Sequence, residues 1–411
     1  MVKYTLYKKP IIFIIGFLYF IPFCKAQDLN KVQQLFKQKE LARAKESVDS
    51  FVLLNSSNAQ GWLLKATVYN AITKDADAKY LVADGRMDAF QALQKAMQLN
   101  SNYTNDQLKQ DNYSVPFDLY YGYTNEGINY FNAGAERNDK GSYSEAFNKF
   151  KKAGQLSQYI YTNGWGLSAT DTNNLYYCAK AAINAAKEEE AFLYAKKIAD
   201  AGITQSQSNK GFESIYQWLV FYYKQQKDGD NLVKYAQLGM QRFTLAVYFN
   251  LILIDWQRQQ KDYVNLFNSY TMLIKKQPGN AKYHLAYYND LFNYLYESSS
   301  TLSDRALQEN KLEKGLLQFI KTNATAADAR LLLAKVYINQ ANDVVKQMQL
   351  RSTTDTKVLN IYTTAHKNLL LKSNMHLKEI VNKLPQNNSA VYSEAKELLA
   401  LNNMLLKAGK K

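Results

Sequence analysis

The sequence predicts an all-α protein made of stacked antiparallel helix pairs. Three observations lead there. The 411 residues include only 5 prolines and 17 glycines, too few turn-formers for a sandwich or barrel but enough for long helices joined by polar loops. Small, large and small residues recur at spacings of four and three, on one helical face, as in Ala146, Phe150 and Ala153. Equivalent positions also recur at a fixed step: Tyr216, Asn250 and His284 follow one another at intervals of 34.

The small–large–small seam appears again at Ala89, Leu93 and Ala96, and in a weaker form at Ala191, Ala195 and Ile198. A small residue lets two helices approach closely, and the large one fills the space between them. One pair alone leaves part of its apolar face open, so neighbouring pairs must stack. The tyrosine count of 32 suits such half-buried faces, because the ring packs while the hydroxyl stays in water.

These spacings resemble the tetratricopeptide repeat, a 34-residue helix pair. Trp62, Ala66 and Tyr69 take first-helix positions 4, 8 and 11, as do Tyr123, Gly127 and Tyr130. Leu333, Ala334 and Tyr337 take positions 7, 8 and 11, and Pro278 takes position 32. The resemblance covers most of residues 28–385 and implies a right-handed α-solenoid of about six to seven units. Some units are stretched, which predicts extended loops or lengthened helices at 73–88, 132–142 and 154–172, and an insertion near 348–360. The stretch 390–411 reads as a capping helix and basic tail, with Leu398, Leu401 and Leu405 on its apolar face.

The repeat region, taken as 27–389, follows a segment of another kind. Residues 1–9 are basic, and 11–23 form a continuous apolar run. That run is short for a membrane span, which takes about 20 residues, and suits a secretory signal cut after Ala26. A lipoprotein attached at Cys24 and an uncleaved anchor are the alternatives; bulky Phe23 argues against the first. The protein is therefore expected in the periplasm or outside the cell. After cleavage only Cys178 remains, expected to be a buried small hydrophobe.

The net charge is +15, of which four charges lie in residues 1–26. The basic remainder favours acidic partners. Nucleic acid is not an expected partner, because export separates the protein from it. No catalytic or metal-binding constellation stands out, and no cofactor is expected. His284, His366 and His376 are wrongly spaced for a metalloprotease pair, and His376 with Glu379 reads as a solvated surface pair. Asp75, Asp77 and Asp84 do not fit a calcium loop, since Lys79 takes a ligand slot. Glu188, Glu189 and Glu190 suit a helix N-terminus. Gly164-Trp165-Gly166 has only a partial likeness to a phosphate loop and reads as a connection between helix pairs, with Trp165 exposed for contact.

In the family it resembles, ligands lie in a groove lined by first helices. Carried over position by position, that groove would hold Lys180 and Asn184, then Gln217, Lys224 and Gln225, then Arg258 and Gln259, and finally Lys335 and Asn339. Cations and amides there suit a carboxylate or a backbone strand. The function expected is a non-enzymatic protein-binding scaffold of the bacterial cell envelope, taking a protein or peptide ligand. The alternative is an exported glycan-binding solenoid similar to the helical sugar-capture lipoproteins of some Gram-negative bacteria, with Trp165 as a stacking platform.

Overall fold

The computed structural model describes residues 29–296, 305–351, 355–383 and 390–408. The segment 1–26, with Cys24 and the cut after Ala26, lies outside the described residues, as do Pro385 and the terminal lysines. Among the described residues there are 18 α-helices and one short 3-10 turn, Lys79–Leu81, and no strand. Their contacts divide the chain into two compact units, Met1–Phe212 and Glu213–Lys411.

The first unit holds four antiparallel pairs. These are α1 (Leu29–Lys37) with α2 (Leu41–Leu54), α3 (Ala59–Lys74) with α4 (Gly85–Leu99), α6 (Ser114–Arg137) with α7 (Lys140–Thr162), and α8 (Thr172–Asn184) with α9 (Glu188–Asp200). An added helix, α5 (Ser101–Gln110), stands between the second and third pairs. The second unit holds four more: α10 (Glu213–Gln225) with α11 (Gly229–Arg242), α12 (Tyr248–Gln259) with α13 (Tyr263–Lys276), α14 (Ala281–Tyr296) with α15 (Arg305–Thr322), and α16 (Ala327–Arg351) with α17 (Thr356–Lys383). The helix α18 (Ala390–Ala408) follows. The stretching expected in the third and last pairs is met by longer helices: α6 and α7 have 24 and 23 residues, α16 and α17 have 25 and 28.

The seams are tetratricopeptide-like. Ala146, Phe150 and Ala153 are all wholly buried, as are Ala89, Leu93 and Ala96. Gly127 of α6 shows why the small residue is needed, because a Cβ there would lie 2.6 Å from the Phe150 ring. Phe150 in turn stacks on Tyr177 of α8, with ring centroids 4.8 Å apart, and so carries the packing from one pair to the next.

Five of the turns inside pairs share one design. Lys39, Asn138, Ala186, Lys227 and Lys261 each adopt a positive φ just after a first helix. In three of them an aspartate follows and caps the second helix: Asp139 accepts from the Gly141 and Ser142 backbone N–H groups, Asp228 from that of Asn231 and Asp262 from that of Asn265. The last two caps lie 34 residues apart, so the repeat shows in its turns as well as its seams.

Two expectations about side chains are corrected here. The tyrosine hydroxyls do not simply stay wet. Tyr69 donates to Asp49, Tyr123 to Asp84, Tyr120 to Asp171, Tyr270 to Asp290 and Tyr337 to Glu313. These five rings are buried, and each brings its hydroxyl to the helix interface, where a carboxylate can replace lost water. The α18 stripe is also different: Leu401 and Leu405 are exposed, while Ala395 and Asn402 are buried. Asn402 donates to Ser373 and Asn374 of α17, so α18 is fastened by a polar seam as well as by the apolar packing of Ala395, Leu398 and Leu399.

Candidate functional site

The residues expected to line a groove do not form one set. Lys180 and Asn184 lie on α8 in the first unit. Lys180 is half-buried, and loss of hydration pushes its amine below its ordinary value. Lys335 and Asn339 lie on α16, where Lys335 pairs with Glu394 of α18 at 2.6 Å. Asn339 lines a small cleft with Arg305, Asp343 and His366.

Gln217, Lys224 and Arg258 do come together, on the first helices of the second unit. Lys224 of α10 pairs with Asp255 of α12 at 2.5 Å. Asp255 also lies 3.9 Å from Arg258, one turn along α12. Arg258 then closes on Asp290 of α14. The result is a ladder of alternating charge across α10, α12 and α14. Gln217 donates to Glu213 on its own helix, and Tyr248 of α12 donates to the Gln217 carbonyl at 3.4 Å. Gln225 and Gln259 are exposed beside the ladder.

The ladder's firm end is Arg258. Its Nε and Nη2 meet the two Asp290 oxygens, and Nη2 also donates to the Tyr270 hydroxyl at 2.9 Å. Tyr270 completes the ring by donating to Asp290 at 2.7 Å. Hydrogen bonding to Asp290 raises the guanidinium above its ordinary value, against the opposing effect of burial. Burial, reinforced by Asp290, raises the Tyr270 hydroxyl. The three side chains form a closed ring of hydrogen bonds.

Sequence reasoning missed the apolar part of this face. Phe221 is 47% exposed and Leu251 39% exposed. Phe221 lies between Gln217 and Lys224 at spacings of four and three, and Leu251 is one repeat step of 34 beyond Gln217. Asp255 and Arg258 stand in the same step from Phe221 and Lys224. Applying the period to every residue of α10 would have found Leu251 and Asp255. Exposed apolar side chains framed by paired charges have the make-up of an interaction surface, with anchors that bury and a rim that orients.

Trp165 is a correction. It is only 5% exposed. Gly164 and Gly166 on either side take positive φ values of 71° and 117°, which turns the backbone and drives the indole inward. There it stacks on Tyr113 and donates from Nε1 to Asn105 at 2.9 Å. Glycine on both sides gave the chain enough freedom to bury the ring.

The histidine reading is corrected in part. His376 is buried against Tyr337 rather than solvated, and Glu379 pairs with Lys383 instead. Burial lowers the imidazole to about 4. Among the described residues, no group of three or more histidine, cysteine or acidic side chains could hold a metal ion. Asp84 receives Tyr123 and Lys152. Glu188, Glu189 and Glu190 occupy the first turn of α9, as read from the sequence. Cys178 is buried, and burial pushes its thiol up to about 12. No helix among the described residues is long and apolar enough to cross a membrane.

No family model matches the sequence, and no curated protein matches it. Among solved structures, the chain is similar to a tetratricopeptide repeat protein from Parabacteroides merdae ATCC 43184. The identity is 12%, over 82% of this chain and 98% of that one, with a TM-score of 0.28. It is also similar to yeast Tom70, at 11% identity over 93% of this chain and 88% of that one, again with a TM-score of 0.28.

Proposed function

We propose that this chain is a non-catalytic scaffold of the bacterial cell envelope that captures another polypeptide on the first-helix face of α10 and α12. The observation that carries this reading is the exposure of Phe221 and Leu251 beside the Lys224–Asp255–Arg258–Asp290 ladder. A partner would bury the two apolar side chains and meet charges already held in place, so little ordering is left to oppose binding. The basic surplus of the chain favours a partner with acidic character. Export rests on the basic and apolar segments of residues 1–26. The glycan alternative drew on an exposed Trp165 and on the tyrosine surplus, and the burial of Trp165 removes the first of these.

A photo-crosslinking residue placed at position 221 of the full chain, expressed in its own host, tests the face. The expected result is a discrete higher-mass adduct that disappears on adding Leu251→Glu. No adduct, or one that Leu251→Glu leaves unchanged, would remove the assignment. Mass spectrometry of the exported protein tests the location. The chain should begin at Gln27; an intact Met1 in the cytoplasmic fraction would end the envelope reading, and an acylated Cys24 would make the protein a lipid-anchored one.

A further inference from the structure

The first unit holds a second candidate, a cleft of about 930 Å³ lined by the second helices α4, α7 and α9 and by the start of α8. It is separate from the first-helix face proposed above. Its wall is unusually rich in carboxamides. Gln91 and Gln94 stand one turn apart on α4, and Gln155 and Gln158 stand one turn apart on α7. All four are exposed, and Gln158 alone among them donates to a neighbour, Thr162 at 3.2 Å. At the floor lies Asn174, only 8% exposed. Its Nδ2 faces the Cys178 sulfur at 3.7 Å, but its Oδ1 has no hydrogen-bond partner. A buried carbonyl oxygen without a donor costs free energy unless something supplies one.

We infer that this cleft binds an extended, acidic segment of a polypeptide. A carboxamide offers N–H donors and a carbonyl acceptor, the same two kinds of group that a peptide unit presents. Side chains one helical turn apart are separated by roughly 5–6 Å, close to the ~6.8 Å repeat of same-side groups along an extended strand. Two glutamine pairs can therefore hold successive peptide units, and the Asn174 Oδ1 accepts a backbone N–H at the floor. The charges choose the side chains. Lys151 and Lys197 line the cleft and are exposed. The acid in the lining, Asp171, is already engaged by the Tyr120 hydroxyl and the Asn174 backbone N–H. A sugar is disfavoured because none of the three lining rings stands exposed as a platform: Tyr194 is half-buried and in T-shaped contact with Phe147. Phe90 is buried, and Tyr159 is packed edge-on against both Phe90 and Trp165.

The test is selection of random twelve-residue peptides against the full chain, followed by fluorescence anisotropy with the winning peptide. Winners should carry acidic residues at alternating positions. The winning peptide should bind about tenfold more weakly to Gln94→Ala/Gln155→Ala and to Lys151→Glu/Lys197→Glu. These exposed changes should leave the helical circular dichroism and melting temperature unchanged. Phe221→Ala/Leu251→Ala should bind the peptide as the parent does, which separates this site from the first-helix face. No enrichment, basic or apolar winners, equal binding to both cleft variants, or displacement of the peptide by maltohexaose would overturn the inference.

Discussion

Arg258 and Asp290 meet side by side, with Nε–Oδ1 at 3.0 Å and Nη2–Oδ2 at 2.9 Å. The two residues sit on first helices of consecutive pairs, and the Lys224–Asp255 contact holds the preceding two in the same way. A sequence separation of 31 or 32 residues thus fastens first helix to first helix twice. The rungs differ in strength because Asp290 is buried while Asp255 is 39% exposed. Replacing Arg258 with Ala leaves a buried carboxylate with Tyr270 alone, and should cost about 1–3 kcal/mol of stability. Replacing Lys224 with Ala removes a more exposed pair, and should cost less than about 1 kcal/mol. Urea unfolding of the two variants measures both. Equal losses would mean that the buried network around Asp290 contributes no more than a surface pair.

The Gly127–Phe150 contact is open to a double substitution. Phe150→Ala should destabilise the first unit by about 3–5 kcal/mol, the usual loss for a buried aromatic. Gly127→Ala alone should also destabilise, because its Cβ meets a ring that has nowhere to go. In the Phe150→Ala background the ring is gone, and the same change should stabilise by up to about 1 kcal/mol through helix propensity. A reversal of sign between the two backgrounds is the result to look for in thermal melts. Additive losses would place the glycine's role elsewhere.

His376 gives a pH window. Its folded value lies near 4, against 6.5 for the exposed group. The folded state therefore takes up the proton less readily than the unfolded state. Stability should be complete above pH 6.5, fall as the pH drops from 6.5 to 4, and change no further below that on this group's account. The shift corresponds to a loss of up to about 3 kcal/mol. Both ring nitrogens lack partners, so His376→Phe should keep the stacking on Tyr337 and flatten the stability profile in that window. An unchanged profile in the variant would show that another group titrates there.

Cys178 should be silent in the native protein. Burial keeps it a neutral thiol far above physiological pH, and only the thiolate reacts with disulfide reagents. With Cys24 changed to Ser, leaving Cys178 as the one thiol, the chain should release no thionitrobenzoate from Ellman's reagent until denaturant is added, and then one equivalent. Prompt reaction without denaturant would mean that α8 opens readily.

The helix pairs were legible because they depend on side-chain size at fixed spacing, which one strand of sequence displays directly. Ala146, Phe150 and Ala153 could be placed without knowing their neighbours. The charged face was only half legible. The period of 34 located Lys224 and Arg258, but their acids lie on other helices, and the sequence does not say which helices pass within reach. Trp165 was misplaced because flanking glycines allow burial as easily as exposure. The α18 stripe was misread because Asn402, polar and apparently outward, finds Ser373 and Asn374 across the interface. Additional helix α5 carries no small–large–small seam and left no repeat signal.

The lengthened helices of the last pair have a consequence of their own. At 1.5 Å per residue, α16 runs about 38 Å and α12 about 18 Å. Between Ala341 and Leu370 no described residue is buried, so the far halves of α16 and α17 lean chiefly on each other. Such a stretch unzips from its tip at little cost in free energy. A protease that nicks the chain at Arg351 should find its target quickly, yet the two fragments should stay together, gripped at the near end by Leu333, Tyr337, Leu377 and Ile380.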